Sequence, residues 1–136
     1  MYPVEQEMTG KRILYIEDNP ENRILVRRVL TAEGYTLIEA ADGPSGLRAA
    51  EEGRPDLILM DINLPEIDGY EVTARLKLIP GLAHIPVIAM TANVMKGDRE
   101  KSLAAGCDGY IQKPIDIDLL PEQIAQFLKR RNYENN

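Results

Sequence analysis

The chain is poor in the features that mark several large protein classes. It has one cysteine, Cys107, so no disulfide framework can staple it. Cys107 is expected to pack inside as a small hydrophobe rather than act as a redox sensor. It has one histidine, His84, which points to neither an imidazole-rich metal site nor a phosphohistidine relay. No apolar run approaches ~18 residues, which excludes a transmembrane helix of the usual length. The opening MYPVEQEMTG lacks a positive region and an apolar stretch, so it does not read as a secretory signal. Basic residues are in deficit: 16 Lys and Arg stand against 22 Asp and Glu, a net charge of −6. A general nucleic-acid binder needs a basic face to neutralise phosphates, and that is missing. There is no repeat, no low-complexity tract and no Pro/Gly/Ser linker. The expectation is a cytoplasmic protein with no nucleic-acid and no membrane partner.

What is present is the balance of an ordinary globular domain: 136 residues, 44% apolar and 28% charged. Residues 1–10 and 132–136 read as tails around one body at 11–131. Within that body, Ile13 to Ile16, Leu57 to Met60 and Val87 to Met90 are short continuous apolar runs. Such runs suit strands buried on both faces of a parallel sheet. Tyr35 to Ala40 and Tyr110-Ile111 are weaker and read as edge strands. Helical spacing lies between them, as in Leu25, Val26, Val29, Leu30 and in Leu120, Ile124, Phe127, Leu128. Asn19-Pro20 reads as a helix start and Asp68 to Glu71 as a variant capping box. Gly34 and Gly53 fall where helices should stop. Asp42-Gly43 reads as a turn and Asp118 as a cap. Val94 to Ala105 is the weakest helix. Five βα units follow: a flavodoxin-like (βα)5 three-layer α/β sandwich with a parallel five-stranded sheet of order 2-1-3-4-5.

In such a sheet ligands bind beyond the carboxyl ends of the strands. Strand one ends in Glu17-Asp18, strand three in Asp61, strand four in Thr91, and strand five is followed by Lys113-Pro114. Taken singly, each has a bland structural reading. Glu17-Asp18 or Asp61 can cap a turn, Thr91 can cap a helix near Asn93, and Lys113 can be a solvated surface lysine. Taken together, three carboxylates, a hydroxyl and an ammonium share one sheet edge. Converging carboxylates need a cation among them, and Mg²⁺ takes oxygen ligands and pairs with phosphate oxygens. Asp61 is then placed to act as a nucleophile toward phosphorus, with Thr91 and Lys113 holding phosphoryl oxygens.

At these residues the sequence resembles the receiver domain of two-component response regulators, of the CheY-like superfamily. The matching stretches are ILYIEDNPENR, DLILMDINLPEIDGYE, IPVIAMTA and GYIQKPI, spread over about Arg12 to Arg130. HIPVIAMTANVMKGD and GCDGYIQKPI look closest to DivK-type single-domain regulators and to receivers of hybrid histidine kinases. The resemblance implies that Asp61 accepts a phosphoryl group from a histidine kinase or histidine phosphotransfer protein. It implies Mg²⁺ held by Glu17, Asp18, Asp61 and the backbone carbonyl of Asn63, with Asp18 direct and Glu17 largely through water. Thr91 matches the switch hydroxyl, and Lys113 the family's lysine, usually followed by a cis bond to proline. Tyr110 matches the switch aromatic. Asn63 and Asn93 match positions that tune phosphoryl lifetime, although both can simply cap turns. The expected output is a protein target bound through the face of helix 4, strand 5 and helix 5, with homodimerisation left open.

On this reading the chain is a phosphoacceptor signalling domain rather than an enzyme, although it assists its own phosphorylation and dephosphorylation. No output domain is expected beyond the fifth helix; the alternative is a receiver excised from a hybrid kinase or larger regulator. A Mg²⁺-dependent aspartyl-phosphate phosphatase would use the same parts, but its nucleophile follows the first strand in a D-x-D pattern. A calcium loop at Asp61-Ile62-Asn63 fails at Glu66 and Val72, where glycine and glutamate are required.

Overall fold

Three apolar runs become strands whose residues are buried along nearly their whole length. These are β1 (Arg12–Ile16), β3 (Leu57–Asp61) and β4 (Val87–Thr91). The computed structural model describes residues 10–92 and 96–134, with side chains over 10–92 and 100–129. β2 (Thr36–Ala40) and β5 (Gly109–Gln112) are less buried and form the edges. The helices are α1 (Pro20–Ala32), α2 (Gly43–Gly53), α3 (Gly69–Leu78), α4 (Lys96–Ala105) and α5 (Leu120–Glu134). All strand pairs are parallel, in the order β2-β1-β3-β4-β5. The chain is thus a five-stranded flavodoxin-like α/β sandwich, as expected.

Alternate residues of each strand feed two cores. Leu14, Ile16, Ile58, Met60, Val87 and Ala89 pack with Ala50, Val72 and Leu76 from α2 and α3. Ile13, Tyr15, Leu57, Leu59, Ile88, Met90 and Ile111 pack with Val26 and Leu30 of α1 and Ile124 and Leu128 of α5. This period-two division puts every buried strand residue against one helical layer or the other. Cys107 is buried, its sulfur 3.8 Å from the Thr73 hydroxyl, and burial pushes its thiol up.

Local signals set most helix ends. Asn19 accepts the backbone N–H of Asn22 at 3.0 Å, and Pro20 opens α1. Gly34, with φ of 93°, takes the left-handed turn after α1. Asp68 Oδ1 accepts the Glu71 N–H at 2.9 Å and starts α3.

Two expectations need correction. Asp42 is not a plain turn residue: it caps α2 in a capping box with Ser45, a bond chemistry that a reading of Asp-Gly as a turn overlooks. α2 stops at Gly53 as expected, with Arg54 taking the left-handed position after it. Asp116 rather than Asp118 turns the chain into α5, accepting the N–H groups of Asp118 and Leu119. Of the weakest expected helix, Val94 to Ala105, the described part runs over Lys96–Ala105, and Asn93 to Met95 lie outside the described residues.

Candidate functional site

The carboxyl ends of β1, β3 and β4 open at one edge of the sheet, and strand parity decides which side chains meet there. Asp61 alternates with Leu57 and Leu59, and Glu17 follows Ile13 and Tyr15, so both continue the face covered by α1 and α5. Lys113 continues the same face two residues beyond Ile111. The three converge. Lys113 Nζ lies 3.0 Å from Asp61 Oδ1 and 3.1 Å from Glu17 Oε1. Glu17 and Asp61 are 1% and 2% exposed, so this is a buried ion cluster rather than a surface one. Asp18 is exposed at its mouth, and one carboxylate oxygen from each of Glu17, Asp18 and Asp61 lies within 4.8 Å of the others.

The loops after the strands complete the shell. Asp61 Oδ1 also accepts the backbone N–H of Asn63 at 3.1 Å. Glu17 accepts the Tyr15 hydroxyl at 3.1 Å, the Asn19 N–H at 3.3 Å and the Asn22 amide at 3.3 Å. Its carboxylate is thus committed to protein donors on several sides, while Asp18 faces solvent. The Lys113–Pro114 bond is cis.

The electrostatics divide the two buried acids. Burial and the neighbouring Glu17 push the Asp61 carboxyl up to about 6, with Lys113 pulling the other way. Burial also works to raise Glu17, but hydrogen bonding with Asp61, the Lys113 charge and the Asn19 N–H outweigh it and hold Glu17 at about 2. Burial works against the Lys113 ammonium; its bonds to Asp61 and Glu17 prevail and raise it. Burial and Glu17 raise the Tyr15 phenol, which stays a hydrogen-bond donor. An all-oxygen cluster with one exposed carboxylate at its mouth fits a hard cation such as Mg²⁺, which keeps several waters.

Thr91 and Tyr110 belong to the other face. Thr91 is 5% exposed and ends β4, where it stands opposite Gln112. Its carbonyl accepts the Lys113 N–H at 2.8 Å, tying the β4 end to the lysine. Tyr110 stands opposite Ala89, two residues before Thr91, and is 37% exposed. It lines a surface cavity of about 420 Å³ with Leu103, Cys107 and Phe127. Asn63 is exposed in the loop after β3, and Asn93 lies outside the described residues.

Three further residues join the cluster that patterning alone does not flag. Tyr15 reads as core, yet its hydroxyl reaches Glu17. Asn22 and Arg23 read as surface helix, yet α1 starts beside the strand ends. Arg23 Nη1 donates to the main-chain oxygens of Glu17 at 2.7 Å and Asp18 at 3.3 Å. For Asn22 and Arg23 the one signal in the sequence is their place in the first turn after the acidic pair.

The family profile described as "Response regulator receiver domain" matches residues 13–125. The polar-differentiation response regulator DivK of Brucella anthropi is 48% identical over 118 residues, 87% of this chain and 96% of that protein. Among solved structures, the receiver domain of sensor histidine kinase PA1611 from Pseudomonas aeruginosa superposes with a TM-score of 0.82 at 38% identity. It covers 89% of this chain and 99% of its own, and it holds a magnesium ion coordinated in its active site cleft. A CheY-like receiver domain protein from Methanospirillum hungatei gives a TM-score of 0.85 at 30% identity, over 93% of this chain and 99% of its own.

Proposed function

The chain belongs to the response regulator receiver domain family of two-component signalling, and on that premise we propose that Asp61 accepts a phosphoryl group from a phosphohistidine donor. The observation that supports this most is the Lys113 ammonium bridging the buried carboxylates of Asp61 and Glu17, with Asp18 open to solvent beside them. Asp61 attacks phosphorus, an O–P bond forms, the P–N bond breaks, and the departing imidazole keeps the electron pair. Glu17, Asp18, Asp61 and the Asn63 carbonyl are the proposed Mg²⁺ residues. Asp18 would hold the ion directly and Glu17 through water, because the Glu17 oxygens already serve Tyr15, Asn19, Asn22 and Lys113. The metal, when bound, neutralises charge on the transferring group.

Lys113 needs little movement to exchange an Asp61 oxygen for a phosphoryl oxygen. Phosphorylated Asp61 carries about −1.5 to −2 of charge in place of a single carboxylate charge, and its three phosphoryl oxygens favour new charge-assisted bonds from Lys113 and the Thr91 hydroxyl. Thr91 then moves toward Asp61 and vacates space on the face it shares with Tyr110. Tyr110 stands opposite the small Ala89, and its ring turns inward behind Thr91. The cavity between α4, β5 and α5 changes shape, and that face is the proposed contact for a downstream protein target. The donor is a histidine kinase or a histidine phosphotransfer protein. Asn63 and Asn93 are the proposed lifetime-tuning positions, and the receiver body is taken as 11–131. The domain signals by contact and assists its own phosphorylation and dephosphorylation. Among the described residues no helix is long and apolar enough to cross a membrane; a cytoplasmic site is proposed.

The test is phosphoryl incorporation from a small acyl phosphate with Mg²⁺, followed by intact mass. One phosphoryl group is expected on the wild type and none on Asp61→Asn. Incorporation that survives Asp61→Asn would assign the acceptor elsewhere.

A further inference from the structure

Arg23 sits in α1, yet its guanidinium bonds the main chain that carries the acidic pair. Glu17 and Asp18 lie where the β1 ladder stops. The Glu17 N–H is still paired, to Ala40 O at 2.9 Å. The carbonyls of Glu17 and Asp18 take their bonds from Arg23 Nη1, at 2.7 and 3.3 Å. The same guanidinium is anchored from β2, with Nε 3.7 Å from Glu39 Oε1. Glu39 is itself gripped at both oxygens by Arg27, at 2.6 and 2.9 Å. Arg23 and Glu39 side chains are 22% and 23% exposed, so these bonds are partly shielded from water.

The consequence is geometric. Two consecutive peptide groups are pinned from outside the site, and their side chains are the carboxylates offered to the metal. A main-chain rotation there would swing Asp18 out of reach of Asp61. The planar fork of arginine serves two directions at once, the carbonyls through Nη1 and Glu39 through Nε; a lysine has one nitrogen for both. Residues that hold ligands without touching a metal typically change affinity by about 10–100-fold when removed.

We propose that Arg23, tethered by Glu39 and Arg27, is a positioning residue that sets the Mg²⁺ affinity of the site without contacting the ion. This rests on the metal site proposed above. The experiment is a Mg²⁺ titration of the full chain at fixed temperature, followed by isothermal calorimetry and read as a midpoint. Arg23→Met is expected to raise the midpoint about tenfold. Arg23→Lys should lie between Arg23→Met and the wild type. Glu39→Gln should raise the midpoint by less, and the double variant Arg23→Met with Glu39→Gln should match Arg23→Met alone, because both act through one chain of contacts. A purely structural role would lower the metal-free melting temperature and leave the midpoint within twofold, and that result overturns the proposal. If Arg23→Met does not fold, Glu39→Gln decides, and an unmoved midpoint overturns it equally. A wild type with no Mg²⁺ response, or a response that survives Asp18→Asn unchanged, overturns the metal site itself and the proposal with it.

Discussion

Asp61 is buried between a second carboxylate and one ammonium, and the metal-free fold holds its carboxyl at about 6. Unfolded, the same group titrates near about 3.9. The folded chain therefore binds this proton more tightly than the unfolded chain. Asp61's contribution is fully favourable below its unfolded value and is lost as pH rises through about 6. At neutral pH without metal its ionisation costs stability. Asp61→Asn removes that cost while Glu17 remains to pair Lys113. The variant is expected to be more stable than the wild type by about 1–3 kcal/mol at pH 7, with the difference shrinking toward pH 4. Denaturant melts in chelator across that range check the sign. A wild type more stable at pH 7 than Asp61→Asn would mean that the Lys113 bond outweighs desolvation. Glu17 runs the other way: its contribution is present above its unfolded value and is lost only as pH falls toward about 2.

At the scale of elements, the close approach of α3 to the end of β3 positions Asp61. The Gly69 N–H donates to Ile62 O at 3.0 Å. A Cβ at Gly69 would press on the Asp61 carbonyl oxygen and lie 2.8 Å from Ile62 Cα. Both neighbours are main chain and cannot swing aside. Gly69→Ala is therefore expected to cost about 1–3 kcal/mol of stability. It should also slow phosphoryl incorporation, because relief comes only by shifting α3 or the peptide that carries Asp61. Thermal melts and initial rates test this pair of effects, and an unchanged rate in a folded variant would show that α3 does not set the Asp61 main chain. The apolar runs of β1, β3 and β4 and the cap at Asn19 are legible because each depends on neighbours in sequence. The Asp42 cap is less so, since Asp-Gly serves turns and helix starts alike and the Ser45 bond decides between them.

For the whole molecule, the site and the face of α4, β5 and α5 are joined through one strand pair. Thr91 bonds the Lys113 main chain at the site end, and Tyr110 lines the cavity two residues deeper on the same pair. Tyr110→Ala is expected to leave phosphoryl incorporation within about twofold of wild type and to weaken capture of the phosphorylated form's protein target by about tenfold, roughly 1.4 kcal/mol. Titration of the target against both proteins checks this; lost incorporation would instead place Tyr110 in the chemistry. The sequence by itself determined the five βα units and the strand order, and it put Asp61, Glu17, Asp18, Thr91 and Lys113 forward as candidates at one sheet edge. Apolar run length and helical spacing are local, and strand ends in a parallel sheet share one edge. Only the tertiary structure decided that Lys113 reaches Glu17 and Asp61 from 96 and 52 residues away, or that Arg23 serves the acidic pair's main chain. Those bonds depend on sheet register, strand parity and the angle at which α1 leaves β1, and a side chain's partner across such distances has no periodic signature.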